Sequence, residues 1–318
     1  MAQRFSRRLE WLLLLLAAFA PFLGIYPIFA MKLICFAIFA SAFNLLLGFT
    51  RLLSFGHAAY FGVAAYTTAW CRVHINLPTE LSILAGVAVS AVFGLVIGTL
   101  ASRRTGIYFA MITLALAQCV YFFCLQLPAT GGENGIQGVP RGTLLAIIPL
   151  QSDMSMYYVV LVIGVLVYLG IRRIVFSPFG QVVKAIGEHE PRAISLGYSV
   201  ERYKVLAFAL SAAIAGIGGS LKALVMGLAT LSDVHQSTSG EVILMTLLGG
   251  TGTFLGPIIG SGIVITLQEY LSDRVGSWVS VIIGCIFVIC VMVFRKGIIG
   301  EIEAYFQRRS VSHIARVD

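Results

Sequence analysis

Nine stretches of this chain run for 17 residues or more without an Asp, Glu, Lys or Arg: Trp11 to Met31, Leu33 to Thr50, Leu52 to Cys71, Leu81 to Ser102, Thr105 to Gly132, Met154 to Ile171, Val205 to Leu221, Val242 to Gln268 and Val275 to Phe294. A hydrocarbon core of about 30 Å takes about 20 helical residues to cross. Backbone groups in lipid must bond within their own segment, so these runs are expected as helices. Composition agrees, with 58% hydrophobic and 11% charged residues, where a soluble domain carries roughly 45–50% and 25%. The chain reads as an all-α integral membrane protein, one transmembrane domain over residues 1–318.

The net charge of +8 raises nucleic acid as a partner, and its distribution argues against it. Arg4, Arg7 and Arg8 precede the first run, Arg103 and Arg104 follow the fourth, Arg172 and Arg173 follow the sixth, and Arg295, Lys296, Arg308, Arg309 and Arg316 follow the last. Basic residues clustered at span ends mark cytoplasmic loops. Alternating sides from a cytoplasmic N-terminus puts the loops Pro128 to Ser155 and Leu228 to Gly240 outside, both poor in Lys and Arg. The segment 172–204 then falls inside, as does the basic tail 295–318.

With both termini inside, Val242 to Gln268 must begin and end outside. Its 27 residues are too few for two full spans. A hairpin of one short or re-entrant helix and one longer helix is expected, for a total of about ten membrane-embedded segments. The N-terminus imitates a signal peptide, but Pro21 follows the small residues Ala18 and Ala20 and the apolar run continues to Met31, so an anchor is expected. The six cysteines lie in or beside apolar runs without paired-ligand spacing and read as small buried hydrophobes.

Three segments carry candidate chemistry. Val242 to Gln268 holds six glycines, with Gly252, Gly256 and Gly260 four apart. That spacing permits close helix approach; equally, a break at Gly249, Gly250, Thr251, Gly252 and Thr253, before Pro257, would free backbone groups to line a substrate path. Asn44 and the stretch Arg51 to Tyr66 form a second polar cluster, in which Arg51, Ser54 and His57 would share a helix face. His57 suits a packed structural role or, with Asn44 and Gln118, a path through the membrane. Lys222 interrupts the seventh run and is expected to snorkel to an interface.

The third segment is a polar island between Arg172 and Lys204 with Lys184, Glu188, Glu190, Arg192, Glu201 and Arg202. Pro191 is tolerated at a helix start, Glu188 and Glu190 favour a helix N-terminus, and Gly197 suits a C-cap. Either a docking element or a solvated linker fits these residues. Elsewhere no H-E-x-x-H, no G-x-S-x-G and no cysteine/histidine metal spacing occurs, and none of the five lysines follows a glycine, so the G-K-[ST] of a P-loop is missing. The chain reads as no enzyme and calls for no cofactor and no metal.

Four ordered motifs carry a resemblance: NLLLGFTRLLSFGHAAYFGVAAY (44–66), TGGENGIQGVPR (130–141), SPFGQVVKAIGEHEPRAISLGYSVERYKVLAFALSAAIAGIGGSL (177–221) and GGTGTFLGPIIGS (249–261). Together they resemble the membrane subunit of branched-chain amino-acid ABC importers, of the LivM type. The resemblance implies alternating access in a bacterial inner membrane, with a related permease, two cytoplasmic ATP-binding subunits and a periplasmic substrate-binding protein as partners. It makes the island an ATPase-coupling loop, through Glu188, Glu190, Arg192, Ala193 and Gly197. Ala193 and Gly197 keep the Ala-to-Gly spacing of the importer motif E-A-A-x-x-x-G, while Pro191 and Arg192 depart from it. Glu133, Asn134 and Asp233 become contact candidates for the binding protein. The alternative is a secondary transporter or channel for a small neutral solute such as urea, which would need intramembrane carboxylates; no Asp or Glu lies inside the charge-free runs.

Overall fold

The computed structural model describes residues 10, 12, 14–24, 26–144, 148–293 and 297–301. Arg4, Arg7 and Arg8, and the tail's Arg295, Lys296, Arg308, Arg309 and Arg316, lie outside the described residues. The molecule is all-α. After helical residues 14–19 come α1 (Pro27–Asn44), α2 (His57–Trp70), α3 (Thr79–Ala101), α4 (Ile107–Gln126), α5 (Asp153–Phe176), α6 (Pro178–Glu188), α7 (Glu190–Ser195), α8 (Val200–Met226), α9 (Gln236–Gly249), α10 (Gly256–Val275) and α11 (Val279–Val293). The first of these continues as a π-helix over Leu45–Thr50, and α2 does the same over Cys71–Ile75. Four two-residue strands, β1 (Ile136–Gln137), β2 (Thr143–Leu144), β3 (Ile148–Pro149) and β4 (Leu228–Ala229), lie in the loops.

Among the described residues five helices are long and apolar enough to cross a membrane: Pro27–Thr50, Thr79–Ala101, Ile107–Gln126, Asp153–Phe176 and Val200–Met226. The first and last are 67% buried over their most apolar window, against 17–33% for the other three. So α1 and α8 form the centre, and α3, α4 and α5 turn Leu84, Val92, Met111, Phe123, Val162 and Leu166 outward.

The helix boundaries depart from the charge-free runs at two places. The first two runs divide not at Lys32 but at residues 24–26, where Gly24 takes a left-handed conformation and Pro27 opens α1. Proline fits a helix start because its missing N–H would be unpaired there anyway. Lys32 lies inside α1, its Nζ 2.8 Å from Glu269 Oε2. The third run begins with non-helical backbone, since Arg51 is left-handed at φ 55° and α2 starts only at His57. Arg51, Ser54 and His57 therefore do not share a helix face; Arg51 is exposed, while Ser54 and His57 are buried.

Lipid tails are as apolar as leucine, so the centre relies on close backbone approach and interhelical hydrogen bonds. A Cβ on Gly219 of α8 would overlap the Phe61 carbonyl of α2. Ser90 Oγ of α3 lies 2.7 Å from the Ala212 carbonyl and 3.1 Å from that of Tyr60. Thr68 Oγ1 donates to Ser220 Oγ at 2.8 Å. These contacts bind α2, α3 and α8 into one unit.

The loops 128–155 and 228–240 meet at one end of the bundle. β1 pairs antiparallel with β4, Ile136 facing Ala229, and Arg141 bonds both the Val225 carbonyl and Asp153. Beneath them lies Lys222, which does not snorkel. It is 9% exposed and its Nζ sits 2.7 Å from Asp233 Oδ2. Asp233 also accepts from the amide and hydroxyl of Thr230. Desolvating a charge is tolerable only with such partners, and the lysine found one inside the protein before it could reach an interface.

Breaking a buried pair by removing one partner costs about 3–5 kcal/mol, whereas an apolar pair of similar volume can be neutral. Lys222→Ala should lower the thermal midpoint of the detergent-solubilised protein markedly, and the double change Lys222→Met, Asp233→Leu should recover most of it. Reaction of buried Cys35 with a thiol dye on heating reports the transition.

Candidate functional site

The glycine-rich segment is where the structure draws the sequence candidates together. α9 stops at Gly249, residues 250–255 are non-helical, and α10 starts at Gly256 with Pro257 in its first turn. Gly252, at φ 76°, holds a left-handed backbone that a side chain rarely adopts. Asn44 satisfies the groups this break frees. Its Oδ1 accepts from Gly252 N at 2.9 Å and its Nδ2 donates to the Thr253 carbonyl at 2.8 Å. Thr253 Oγ1 donates to the Gly250 carbonyl and accepts from Gly256 N.

The two meanings of the glycine spacing fall on different glycines. Gly252 belongs to the break. Gly256 and Gly260 serve close packing: a Cβ on Gly260 would collide with the Met245 carbonyl, and one on Gly249 with the Gly256 carbonyl. Asn44 and Thr253 between them take Gly252 N, the Thr253 carbonyl, the Gly250 carbonyl and Gly256 N, while Thr251 is exposed.

The other path candidates lie apart from this junction. His57 is fully buried among Phe39, Phe43, Tyr60 and Phe208. Its Nε2 is 3.0 Å from Ser211 Oγ, whose hydroxyl proton goes to the Ala42 carbonyl, so Nε2 is the donor. The ring is thus packed on all sides, and its buried Nδ1 has no hydrogen-bond partner among the described residues. Gln118 of α4 pairs with Gln236 at the start of α9, 3.3 Å away.

The polar island folds as α6 and α7 at the opposite end of the bundle from the strands. Ser177 caps α6 by accepting from Gly180 N. This helix turns Gly180, Val183 and Ile186 inward and rests on the end of α1, where a Cβ on Gly187 would meet the Thr50 carbonyl. Lys184 Nζ lies 5.3 Å from the Phe49 ring centre and 5.5 Å from that of Phe176. Both of those rings pack on Phe254, in the break between α9 and α10. Island, π-helical end of α1 and glycine break are thus one contiguous contact.

Within α7, Pro191 stands in the first turn as expected. Gly197 (φ 85°) ends it in a Schellman motif, with Tyr198 N bonded to the Ala193 carbonyl and Gly197 N to that of Ile194. Ala193 is buried and Arg192 exposed. The two carboxylates differ from each other. Glu188 is the last residue of α6, at the wrong end for an N-terminal dipole. Glu190 is the first residue of α7, as expected, and also takes Lys204 Nζ at 2.7 Å, tying α7 to α8. The charge pattern also concealed Ile194, Leu196 and Tyr198, which are 59%, 70% and 43% exposed around this turn. An apolar residue amid charges was their only signal.

At the strand end, Glu133 and Asn134 are exposed on a 3₁₀ turn. Asp233 is not a surface residue, being 4% exposed and paired with Lys222.

Asn44→Leu keeps the volume and orphans Gly252 N–H and the Thr253 carbonyl, at about 1–3 kcal/mol for each buried group. Hydrogen exchange over residues 248–256 should accelerate at least tenfold, with α3 and α4 unchanged; unchanged exchange at the break would show that Asn44 does not hold it.

The chain's residues 26–291 match the family model for branched-chain amino acid transport system permease components. It is similar to the high-affinity branched-chain amino acid transport system permease protein LivM of Salmonella typhimurium and of Escherichia coli, each 28% identical over 82% of this chain and 67% of the relative. It is also similar to the autoinducer 2 import system permease protein LsrC of Yersinia enterocolitica, 24% identical over 71% of this chain and 65% of the relative. No solved structure matches. The match over 26–291 takes in the α1 end, the glycine break and the polar island alike, and the chain belongs to the family of branched-chain amino acid transport system permease components.

Proposed function

We propose that this chain is the permease subunit through which branched-chain amino acids enter a cell, driven by ATP hydrolysed in separate chains. The observation that carries the reading is the contact from α6 through Phe49 and Phe254 to the glycine break. It is supported by the exposed Ile194, Leu196 and Tyr198, an apolar patch on an otherwise charged loop of the kind that marks a docking surface. In this reading α6 and α7 are cytoplasmic and seat on an ATPase, with Glu188 and Arg192 at the rim. The strand end, with Glu133 and Asn134, receives a substrate-binding protein. α9 and α10 form a re-entrant hairpin entered from outside, bringing the embedded segments to about ten with both termini inside. A related permease completes the complex in an inner membrane.

Mechanism follows from the wiring. ATPase closure shifts α7, and the Lys204–Glu190 pair passes that shift to α8. The packing of Gly187 on Thr50, and of Lys184 on Phe49 and Phe176, passes it to α1 and to Phe254 in the break. Only a difference in affinity for two arrangements can move the population, and a swing from 1:99 to 99:1 takes about 5.5 kcal/mol. Three apolar side chains buried against an ATPase in one arrangement and exposed in the other, at up to about 1.5–3 kcal/mol each, are of the size required.

Labelled leucine uptake into vesicles holding the full complex tests this. Wild type should require ATP. Leu196→Asp, and the double change Glu190→Ala, Arg192→Ala, should cut uptake at least tenfold while the chain still inserts. Leucine uptake by this chain alone, without ATP, would replace the importer with a secondary transporter.

A further inference from the structure

A partly open cavity of about 140 Å³ lies between the N-terminal helical residues, α1, α5 and the start of α10. Leu14, Ile34, Ile38, Leu161, Val165 and Ile258 give it a hydrocarbon lining, and Leu255, the last residue of the glycine break, is part of its wall. Each long helix contributes one face, Ile34, Ile38 and Ser41 from α1 and Leu161, Val165 and Tyr168 from α5, so the cavity runs along the helix axes between packed elements. The N-terminal wall is fastened to α5, because the Tyr157 hydroxyl donates to the Ala17 carbonyl. An apolar cavity of about 150 Å³ stays dry and takes a hydrocarbon guest.

One end of the cavity is polar. Glu10 and Tyr168 line that end, Arg172 Nη1 lies 3.0 Å from Glu10 Oε2, and Arg173 beside it is exposed. The Tyr168 hydroxyl, next to Glu10 and Arg172, is buried without a hydrogen-bond partner among the described residues. Buried polar groups are almost always paired, which leaves this donor for a ligand's oxygen. A guanidinium has five N–H donors, so its bond to Glu10 does not exhaust Arg172. Arg7 and Arg8 stand within three residues of Glu10 in the sequence, and the charge near this end is net positive. From Asp153 to Arg172 the helix α5 rises about 28 Å, close to the thickness of a hydrocarbon core. Arg172 is therefore at headgroup depth, with the apolar cavity beneath it. We propose that the cavity is a binding site for one anionic phospholipid. An acyl chain fills the space between α1, α5 and α10, and the phosphate accepts from Tyr168, Arg172 and Arg173. Basic pockets between transmembrane helices on the cytoplasmic side hold such headgroups, and α5 brings its arginines to the polar-island end. Phosphatidylcholine carries the same tail and phosphate, but its ammonium meets the arginines with like charge. With Leu255 in the wall, the bound chain packs against the end of the glycine break.

The full chain would be placed in vesicles containing phosphatidylglycerol or phosphatidylcholine with the same photoreactive acyl chain, and the labelled residues read by mass spectrometry. Phosphatidylglycerol is expected to label Leu14, Ile38 or Leu161 about fivefold or more above phosphatidylcholine, and the two lipids to label the outward Leu84 of α3 equally. Ala37→Phe, on the α1 wall of the cavity, should remove the cavity labelling and keep that of Leu84. The double change Arg172→Gln, Arg173→Gln should bring the two lipids level at the cavity, and Arg173→Gln alone, at an exposed position that folding does not depend on, should lower the preference. Equal cavity labelling by both lipids in wild type would make the guest ordinary surrounding lipid and overturn the inference. So would cavity residues left unlabelled while Leu84 is labelled, or a preference that survives the loss of both arginines.

Discussion

Inside a bilayer every backbone N–H and C=O must find a partner within the protein, and two of this chain's helix breaks, at 51–56 and 250–255, lie in or beside its charge-free runs. Both breaks survive because side chains stand in for the missing helical bonds. Asn44 closes the 250–255 break from two sides. The non-helical stretch before α2 is held by Thr113 Oγ1 on Phe55 N and Ser54 Oγ on Gly56 N, and Ser239 Oγ of α9 accepts from Ala58 N in the first turn of α2. Each bond but the one from Ser54 joins elements distant in sequence, so the breaks also fix how α1, α2, α4 and α9 sit together.

Those fixed contacts converge on the end of α1. Its last turns are π-helical, which shifts side-chain register relative to an α-helix, and they meet α6 on one side and the glycine break on the other. A movement of the polar island cannot leave Phe49 or Phe254 in place without opening a packed interface. Close-packed interiors deform by switching between arrangements rather than by yielding smoothly, which is what a subunit that alternates between two openings requires.

α8 spans the molecule between two ion pairs. Lys204 holds Glu190 of α7 at one end and Lys222 holds Asp233 at the other. The eighteen residue steps from Lys204 to Lys222 rise about 27 Å along a helix, close to the thickness of a hydrocarbon core. With α2 and α3 bound to its small residues, α8 is the stiff member to which both ends of the bundle are anchored.

Composition and charge-free run length determined by themselves that the chain is helical and membrane-embedded, because the hydrophobic requirement of a bilayer is read one residue at a time. The motif set, from Asn44 to Ser261, was enough to place the family. Gly197 and Pro191 were legible for the same reason, since their backbone preferences are local. What only the tertiary structure decided was pairing. Asn44 looked like one more polar residue until Gly252 and Thr253, some 208 positions away, appeared across from it. Lys222 and Asp233 looked like an interfacial residue and a loop residue until burial joined them. Glu269 and Lys32 meet across α10 and α1, 237 positions apart, with nothing local to announce the pair. Long-range partners leave no local trace, and in lipid, where an unpaired polar group is costly, those partners determine what each polar residue does.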